Sequence, residues 1–78
     1  MPIRFKKFDV RPLLAAGGEP LAEIRKRIDA LQPNEGLSII SPFLPSPLIE
    51  KLSSEGFHSR VEHQPSGAWT VHFSRDDS

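Results

Sequence analysis

The stretch "EPLAEIRKRIDALQPNEGLSII", Glu19 to Ile40, decides the fold because it joins an amphipathic helix to a buried strand. Pro20 suits the first position of a helix, where a missing N–H costs nothing. Apolar residues follow at helical spacing and predict one buried stripe, comprising Leu21, Ile24, Ile28 and Leu31. The "GLSIIS" that comes after Pro33 and Asn34 is short, apolar and β-branched, which is typical of a buried strand.

On the amino-terminal side of this stretch, "RFKKFDVR" alternates apolar and charged residues and predicts a first strand. Phe8 and Val10 then share one face of that strand. The "PLLAAGG" that follows is predicted to be a loop of small residues. A loop between a strand and a helix is a common position for functional groups in α/β proteins.

On the carboxyl-terminal side, "SPLIEKLSSEG" predicts a second helix with Ser46 as its N-cap. "FHSRVEHQ" and "AWTVHFS" both alternate and predict a β-hairpin. If Val61 and Val71 share the buried face, Pro65–Gly67 form a three-residue loop. Such a loop places a left-handed residue last, where Gly67 falls.

The element order is therefore β-α-β-α-β-β, in a single domain 1–78 with a structured core of about 4–75. We expect an α/β (α+β) two-layer sandwich, with two helices packed on one face of a four-stranded mixed sheet. Right-handed crossovers make strands 1, 2 and 3 point the same way, and the hairpin reverses strand 4. The face without helices should carry a polar set, comprising His58, Arg60, Glu62, Thr70 and His72.

Composition excludes several classes of function. The 78 residues contain no cysteine, so thiolate nucleophiles, persulfide carriers, disulfides and thiolate metal sites are impossible. Ten basic and ten acidic residues cancel, which argues against broad, non-specific nucleic-acid binding. The apolar runs are too short for a membrane span and Met1–Pro2 opens no signal-peptide pattern, so we expect a cytoplasmic protein without membrane contact.

Three short motifs carry a family resemblance: Asp9-Val10-Arg11, Glu19-Pro20 and Leu31-Gln32-Pro33-x-Glu35-Gly36. They make the segment from Phe8 to Arg75 similar to the TusA/SirA-like sulfur-carrier superfamily. The chain resembles domain of unknown function 2249 more closely. The resemblance implies the same two-layer β-α-β-α-β-β fold.

The resemblance also marks two departures. Sulfur carriers place Cys-Pro-x-Pro at the start of helix 1, and the corresponding tetrad here is Gly17-Gly18-Glu19-Pro20. The loop is two residues longer, and Gly17 stands at the cysteine position. Domains of the 2249 type often carry a polar Asp-His-Asp-Pro-like segment before helix 2, where this chain has the apolar "SPFLPSPL".

Ligand clefts of parallel α/β sheets lie at the carboxyl ends of the strands, where the Gly17–Gly18 loop and the "PFLP" segment both fall. We therefore expect a non-catalytic accessory or regulatory module without a cofactor, acting as a monomer or weak homodimer on an unidentified protein partner. The predicted docking residues are Arg11, Gly17, Gly18, Glu19, Phe43 and Leu44.

Four alternatives remain open from the sequence. The Gly17–Gly18 loop could hold an anion on its amides. A basic patch of Arg4, Lys6, Lys7, Arg25 and Lys26 could bind nucleic acid. Three histidines, His58, His63 and His72, could bind a metal, although none of the usual zinc spacings occurs. Trp69 opposite His63 could form a small-ligand platform. An enzyme is the least favoured class, because no acid–base pair has a geometry that the sequence reveals.

The missing cysteine yields a first prediction. Purified protein should transfer no sulfur from thiosulfate or from a persulfide donor, because no side chain of the chain can carry a persulfide. A sulfurtransferase assay with intact-mass spectrometry measures both turnover and any bound sulfur. Turnover above the protein-free rate, or a mass increase of one sulfur atom, would overturn this prediction.

Overall fold

The computed structural model describes residues 3–75, which form a four-stranded sheet and three helices; the strands and the two longer helices follow the predicted order along the chain. The elements are β1 (Arg4–Asp9), α1 (Arg11–Ala15), α2 (Pro20–Asp29), β2 (Glu35–Ser41), α3 (Ser46–Ser54), β3 (Phe57–His63) and β4 (Trp69–Arg75). Within this range no helix combines the length and the apolar character that crossing a membrane requires.

The spatial order of the strands is β1-β2-β4-β3, so β4 lies between the two strands that the second crossover connects. β1 runs parallel to β2, and β4 runs antiparallel to both β2 and β3. The predicted directions of all four strands are thereby confirmed. β2 and β4 are the two central strands, while β1 and β3 form the edges of the sheet built by residues 3–75.

The core lies between the helices and one face of the two central strands. β2 and β4 bury Leu37, Ile39, Val71 and Phe73 almost completely, and α2 and α3 cover them with Ile24, Ile28, Leu48 and Leu52. The predicted helix stripe is confirmed at its centre. Its first residue, Leu21, is instead 47% exposed. It lies in the first turn of α2, and that turn starts beside the point where the parallel strands end.

The predicted loop "PLLAAGG" is wrong in part, because Arg11–Ala15 form the short helix α1. The Asp9 carboxylate accepts the Arg11 backbone N–H at 3.0 Å and the Arg11 guanidinium at 2.7 Å, which fixes the first turn. At the other end, the Gly17 N–H donates to the Leu14 carbonyl and the Gly18 N–H donates to the Leu13 carbonyl. Gly17 has φ +78°, so the helix closes in a Schellman motif.

The predicted N-cap of α3 is also wrong, by one residue. Pro45 occupies the cap position and its carbonyl accepts the Ile49 N–H, so Ser46 is already the first helical residue. Its side chain makes no capping hydrogen bond. The proline-rich sequence before the helix explains the shift, because Pro45 and Pro47 have no N–H groups that need a cap.

The hairpin has the predicted register. Val61 pairs with Val71, and Gly67 adopts φ +93° at the end of the loop. The polar set predicted for the open face is confirmed, since His58, Arg60 and Glu62 alternate with the residues on the helix side. Val61 lies on the helix side but is 41% exposed, contrary to its expected burial, because β3 is an edge strand.

On the open face, the Phe5 ring of β1 lies over Gly36 of β2, its direct neighbour in the parallel register. A Cβ at position 36 would come within 2.5 Å of the Phe5 ring and within 2.6 Å of the Phe73 carbonyl oxygen. The ring can move aside because it is exposed, whereas the carbonyl belongs to the central strand β4. Glycine is therefore required here by close approach of the backbone.

We predict that Gly36→Ala lowers the free energy of unfolding by about 1–3 kcal/mol, the usual cost of overpacking. Adding Phe5→Ala to Gly36→Ala should recover only part of the lost free energy of unfolding, because the Phe73 carbonyl stays in place. Urea unfolding of both single variants and the double variant measures the two contributions. A Gly36→Ala variant as stable as the parent chain would contradict the close approach.

Candidate docking surface

The parallel pairing of β1 and β2 brings three chain segments to one end of the sheet. β1 leads into α1, the Schellman turn leads into the first turn of α2, and β2 leads into residues 42–45 before α3. The Val10 N–H continues the β1–β2 pairing by donating to the Ile40 carbonyl at 3.0 Å. All three segments therefore surround the carboxyl ends of the parallel strands, where a ligand cleft is expected in such sheets.

A depression runs across this end of the molecule and continues between α2 and α3; we call it the α2–α3 groove. Its inner half has a volume of about 180 Å³ and is almost entirely apolar. The inner half is lined by Val10, Leu14, Pro20, Leu21, Ile24, Ile39, Ser41, Phe43, Pro45, Pro47 and Leu48. Its outer half has a volume of about 390 Å³, with Glu19, Arg25 and Lys51 at its rim. The two halves share Leu21, Ile24 and Leu48.

Large apolar side chains stand exposed around the groove. Phe43 is 54% exposed, Leu44 is 40% exposed, and Leu21 faces Phe43 from the first turn of α2. Phe43 and Leu44 lie between Pro42 and Pro45, which limit the conformations of the segment. This arrangement can offer an apolar side chain of a partner both a pocket and a rigid ridge beside it.

The six predicted docking residues separate into two groups. Glu19 and Phe43 line the groove, and Leu44 lies exposed next to Phe43. Arg11, Gly17 and Gly18 do not line it. The Gly17 and Gly18 N–H groups are occupied by carbonyls of α1, so this loop presents no amide cradle for an anion.

Arg11 has a structural partner instead of facing the groove. Its guanidinium holds the Asp9 carboxylate through Nε at 2.9 Å and through a second nitrogen at 2.7 Å. This side-chain hydrogen bonding lowers the pKa of Asp9 and raises that of Arg11. The pair holds the start of α1 against the end of β1.

The sequence did not point to Leu14 and Leu21, two of the side chains that make the groove apolar. Leu21 was assigned to the buried stripe of α2, and Leu14 to a loop. The adjacent leucines of "RPLLA" were the available signal, because an apolar pair directly after a proline fits a short helix better than a solvated loop. Leu14 packs against the core from α1 and forms one wall of the groove.

An ion pair links α2 to the end of α3 beside the outer half of the groove. Arg25 of α2 donates to Glu55, the C-cap residue of α3, through Nη1 at 2.7 Å and through its other terminal nitrogen. The hydrogen bonds from Arg25 lower the pKa of Glu55 below its ordinary value of 4.5 and raise the pKa of Arg25. Asp29, one turn along α2, lies 3.6 Å from the same guanidinium. The pair fixes the spacing of α2 and α3.

The basic residues proposed for nucleic acid are not brought together. Arg25 is held by two carboxylates, and Lys6 lies 3.5 Å from Glu35. Lys6 and Lys7 are neighbours on β1 and therefore point to opposite faces of the sheet. Arg4 shares the Lys6 side, and Lys26 lies on α2. Lys7 is therefore separated from Arg4 and Lys6 by the sheet, and carboxylates already contact Lys6 and Arg25.

The open face carries a hydrogen-bonded chain that the sequence did not reveal. The Ser38 hydroxyl lies 2.6 Å from Nδ1 of His72, and Nε2 of His72 lies 3.4 Å from Glu62. Phe5 contacts the His72 ring edge-on, with centroids 5.4 Å apart. Ser38 is only 3% exposed, so this hydroxyl orients the imidazole and is closed to a substrate.

The structure also bears on the ligand platform and the metal site that were considered for the histidines. His63 stacks on Trp69 with centroids 4.0 Å apart and the rings nearly parallel, so the face of Trp69 proposed as a platform is occupied by its neighbour. Among residues 3–75, no group of three or more histidine, aspartate or glutamate side chains is placed to hold a metal ion.

Comparison with known proteins gives one result. A family model described as "Uncharacterized conserved protein (DUF2249)" matches residues 7–75, from the middle of β1 to the end of β4. No curated protein and no solved structure matches the chain significantly. The description of the family names no activity, so the function has to be argued from the surface itself.

The Arg25–Glu55 pair generates a pH-dependent prediction. The folded-state pKa of Glu55 is lowered, so the stabilisation is complete above the unfolded-state pKa and is lost as the pH falls through the folded-state pKa. Glu55→Gln should therefore lower the urea midpoint at about pH 7, and this effect should diminish as the pH falls through the folded-state pKa of Glu55.

Glu50→Gln is the matched control, because it removes the same charge from an exposed position of α3. Its effect on the midpoint should be smaller at neutral pH. Equal midpoint shifts for the two variants at neutral pH, or a Glu55→Gln effect that persists unchanged in acid, would show that the pair does not hold the helices together.

Proposed function

The chain belongs to the DUF2249 family of uncharacterised conserved proteins, and we propose that it is a protein-interaction module that binds its partner in the α2–α3 groove. The module acts as an accessory or regulatory component and performs no chemistry of its own. The groove, with Phe43 and Leu44 beside it, is the docking surface.

The observation that carries this proposal is the exposure of Phe43 and Leu21, two large apolar side chains that line the same apolar groove. Single exposed apolar side chains are ordinary on protein surfaces, but a contiguous apolar patch bordered by polar groups marks an interaction site. The groove also has charged lining residues, Glu19, Arg25 and Lys51.

The rigidity of the surface supports the same function. Three prolines, Pro42, Pro45 and Pro47, flank or follow the exposed residues, and Pro20 begins α2 on the other side. A surface that is already ordered loses little conformational entropy when it binds, so even a small apolar patch can give useful affinity. Aromatic side chains in particular act as anchors in such interfaces.

The absence of cysteine supports a non-catalytic role. In the sulfur carriers that the motifs resemble, the start of helix 1 carries the reactive thiol, and Gly17 stands at that position here. In our proposal the same end of the fold is kept as a binding surface, and the sulfur chemistry is absent. The apolar residues of "SPFLPSPL" then take over as the recognition element.

Quantitative affinity capture from native lysate tests the proposal with the tagged protein as bait. Phe43→Asp should abolish capture of at least one specific partner, because a carboxylate would have to be desolvated in the apolar groove. Phe43 is largely exposed, so the variant should keep its fold, which circular dichroism and the thermal midpoint verify.

Ile3→Asp is the matched control. Ile3 is an exposed apolar residue just before β1, at the end of the sheet opposite to the groove. The control should capture the same partners as the parent chain. Capture profiles that do not differ between Phe43→Asp and the parent chain, or a parent chain that captures nothing above a tag-only bait, would rule out docking through the groove.

A further inference from the structure

β3 is an edge strand of the sheet formed by residues 3–75, and its outer backbone groups can pair with a second chain. Its residues His58–Val61 are all exposed, and within residues 3–75 only β4 pairs with it. We propose that two copies of this chain pair their β3 strands antiparallel around Val61, which joins the two sheets into one continuous sheet with two-fold symmetry. This inference is independent of the proposed groove function.

The hydrogen bonds of the hairpin identify the groups that are available. The Gln64 N–H donates to the Ala68 carbonyl at 2.8 Å, and the Gln64 carbonyl accepts the Gly67 N–H. Gln64 therefore directs its backbone groups towards β4. Backbone N–H and C=O groups point alternately to the two sides of an antiparallel strand. Those of Glu62 and Arg60 therefore also point towards β4. Those of Ser59, Val61 and His63 point away from β4, towards a second chain.

Several symmetric registers satisfy those outward groups, and the two centred on Val61 and on Arg60 differ in how they pair the charges of β3. In one, Val61 lies opposite its own copy and Ser59 lies opposite His63 of the second copy. In the other, the axis passes through Arg60, and Ser59 lies opposite Val61 of the second copy. Both give backbone pairs of the hydrogen-bonded kind, and the register centred on Arg60 overlaps more of Phe57–His63, so a preference for Val61 has to come from the side chains.

The charges of β3 choose the register centred on Val61. There Arg60 lies opposite Glu62 of the second copy, and the two-fold axis repeats this pair. These are non-hydrogen-bonded positions, where side chains come closest across a strand pair. In the other register Arg60 would lie opposite its own copy, and like charges directly opposite each other are destabilising.

The side chains fit this arrangement. Arg60 and Glu62 already share the open face and lie 3.2 Å apart within one chain, so both can turn to equivalent partners across the axis. Glu62 also contacts Nε2 of His72 and the Gln64 amide, which hold its carboxylate on that face. On the helix side, the 41% exposed Val61 side chain would pack against its own copy.

The other edge of the sheet lacks this self-complementarity. β1 carries three cations, Arg4, Lys6 and Lys7, against the single carboxylate of Asp9. The single carboxylate of β1, Asp9, is already bound to Arg11, so most pairings of two antiparallel β1 copies would bring cations together. Lysines are also a common protection of edge strands against pairing. The charge pattern therefore assigns self-association to β3.

Edge pairing of one short strand buries less surface than a standard protein interface, so the dimer is weak and needs high concentration to form. Analytical ultracentrifugation of the intact chain from about 10 µM to about 1 mM should show a reversible monomer–dimer equilibrium. Arg60→Glu should raise the dimer dissociation constant by about tenfold or more, because both cross-axis ion pairs become repulsive.

The charge-exchanged variant Arg60→Glu/Glu62→Arg separates the two registers. It should restore dimerisation if the axis passes through Val61, because opposite charges again face each other. With the axis at Arg60, residue 60 would face its own copy whichever charge it carries, so the exchange would not reverse the effect of Arg60→Glu. Phe43→Asp should leave the equilibrium unchanged, since Phe43 lies at the groove.

A filtered NOE experiment on a mixture of labelled and unlabelled chains locates the interface directly. The expected signal joins the Hα protons of Arg60 and Glu62 across the axis, a contact that one chain cannot make with itself. A monomer at about 1 mM would overturn the proposal. So would a dimer that Arg60→Glu leaves intact, or one that Phe43→Asp abolishes.

Discussion

The parallel pairing of β1 with β2 is the constraint on which the rest of the structure depends. Parallel neighbours cannot be joined by a tight turn, so the chain has to cross over one face of the sheet between Asp9 and Glu35. α1 and α2 are that crossover. Because both strands end at the same side, the crossover begins where β2 later ends, and everything that follows β2 is placed beside α1 and the start of α2.

The position of β4 follows from the second crossover. α3 carries the chain past β2, and the hairpin then inserts β4 between β2 and β3. This gives the core two fully flanked strands, β2 and β4, from which Leu37, Ile39, Val71 and Phe73 are buried. The consequence is that both crossover helices lie on one face and the other face stays polar. Two strands, β1 and β3, remain as edges with quite different charge patterns.

The parts of the fold that follow from periodicity could be predicted from the sequence. The stripe of α2, the buried β2 and the hairpin register at Val61 and Val71 each depend on local alternation or spacing, and tertiary packing reinforces them. α1 could not be predicted in that way. Its five residues are too few to show a helical period, and its ends are fixed by Asp9 and by two glycine N–H groups.

The sequence predicted where the candidate site lies, but it did not predict all the residues that line it. The rule that clefts form at the carboxyl ends of parallel strands led to Glu19 and Phe43, both of which line the groove. The same rule gave no indication that Leu21 would remain uncovered. Exposure of a helix residue depends on how far the helix extends past the sheet, and that length is a property of the crossover as a whole. The Ser38–His72–Glu62 chain joins residues from three strands, so it was visible only once the strand order was known.

The two proposed surfaces lie on different parts of the fold, and this bears on how they could work together. α3 packs against β3 and forms one wall of the groove with its opposite side, facing α2. Pairing through the outer edge of β3 would therefore leave the groove open in both chains. A two-fold dimer would present two equivalent grooves, one in each half of the helix-covered face of the joined sheet. A partner with two docking segments would bind such a dimer far more tightly than a single groove allows, because its second contact forms within the same complex. Weak binding in each groove and weak dimerisation can in this way combine into a tight but reversible complex.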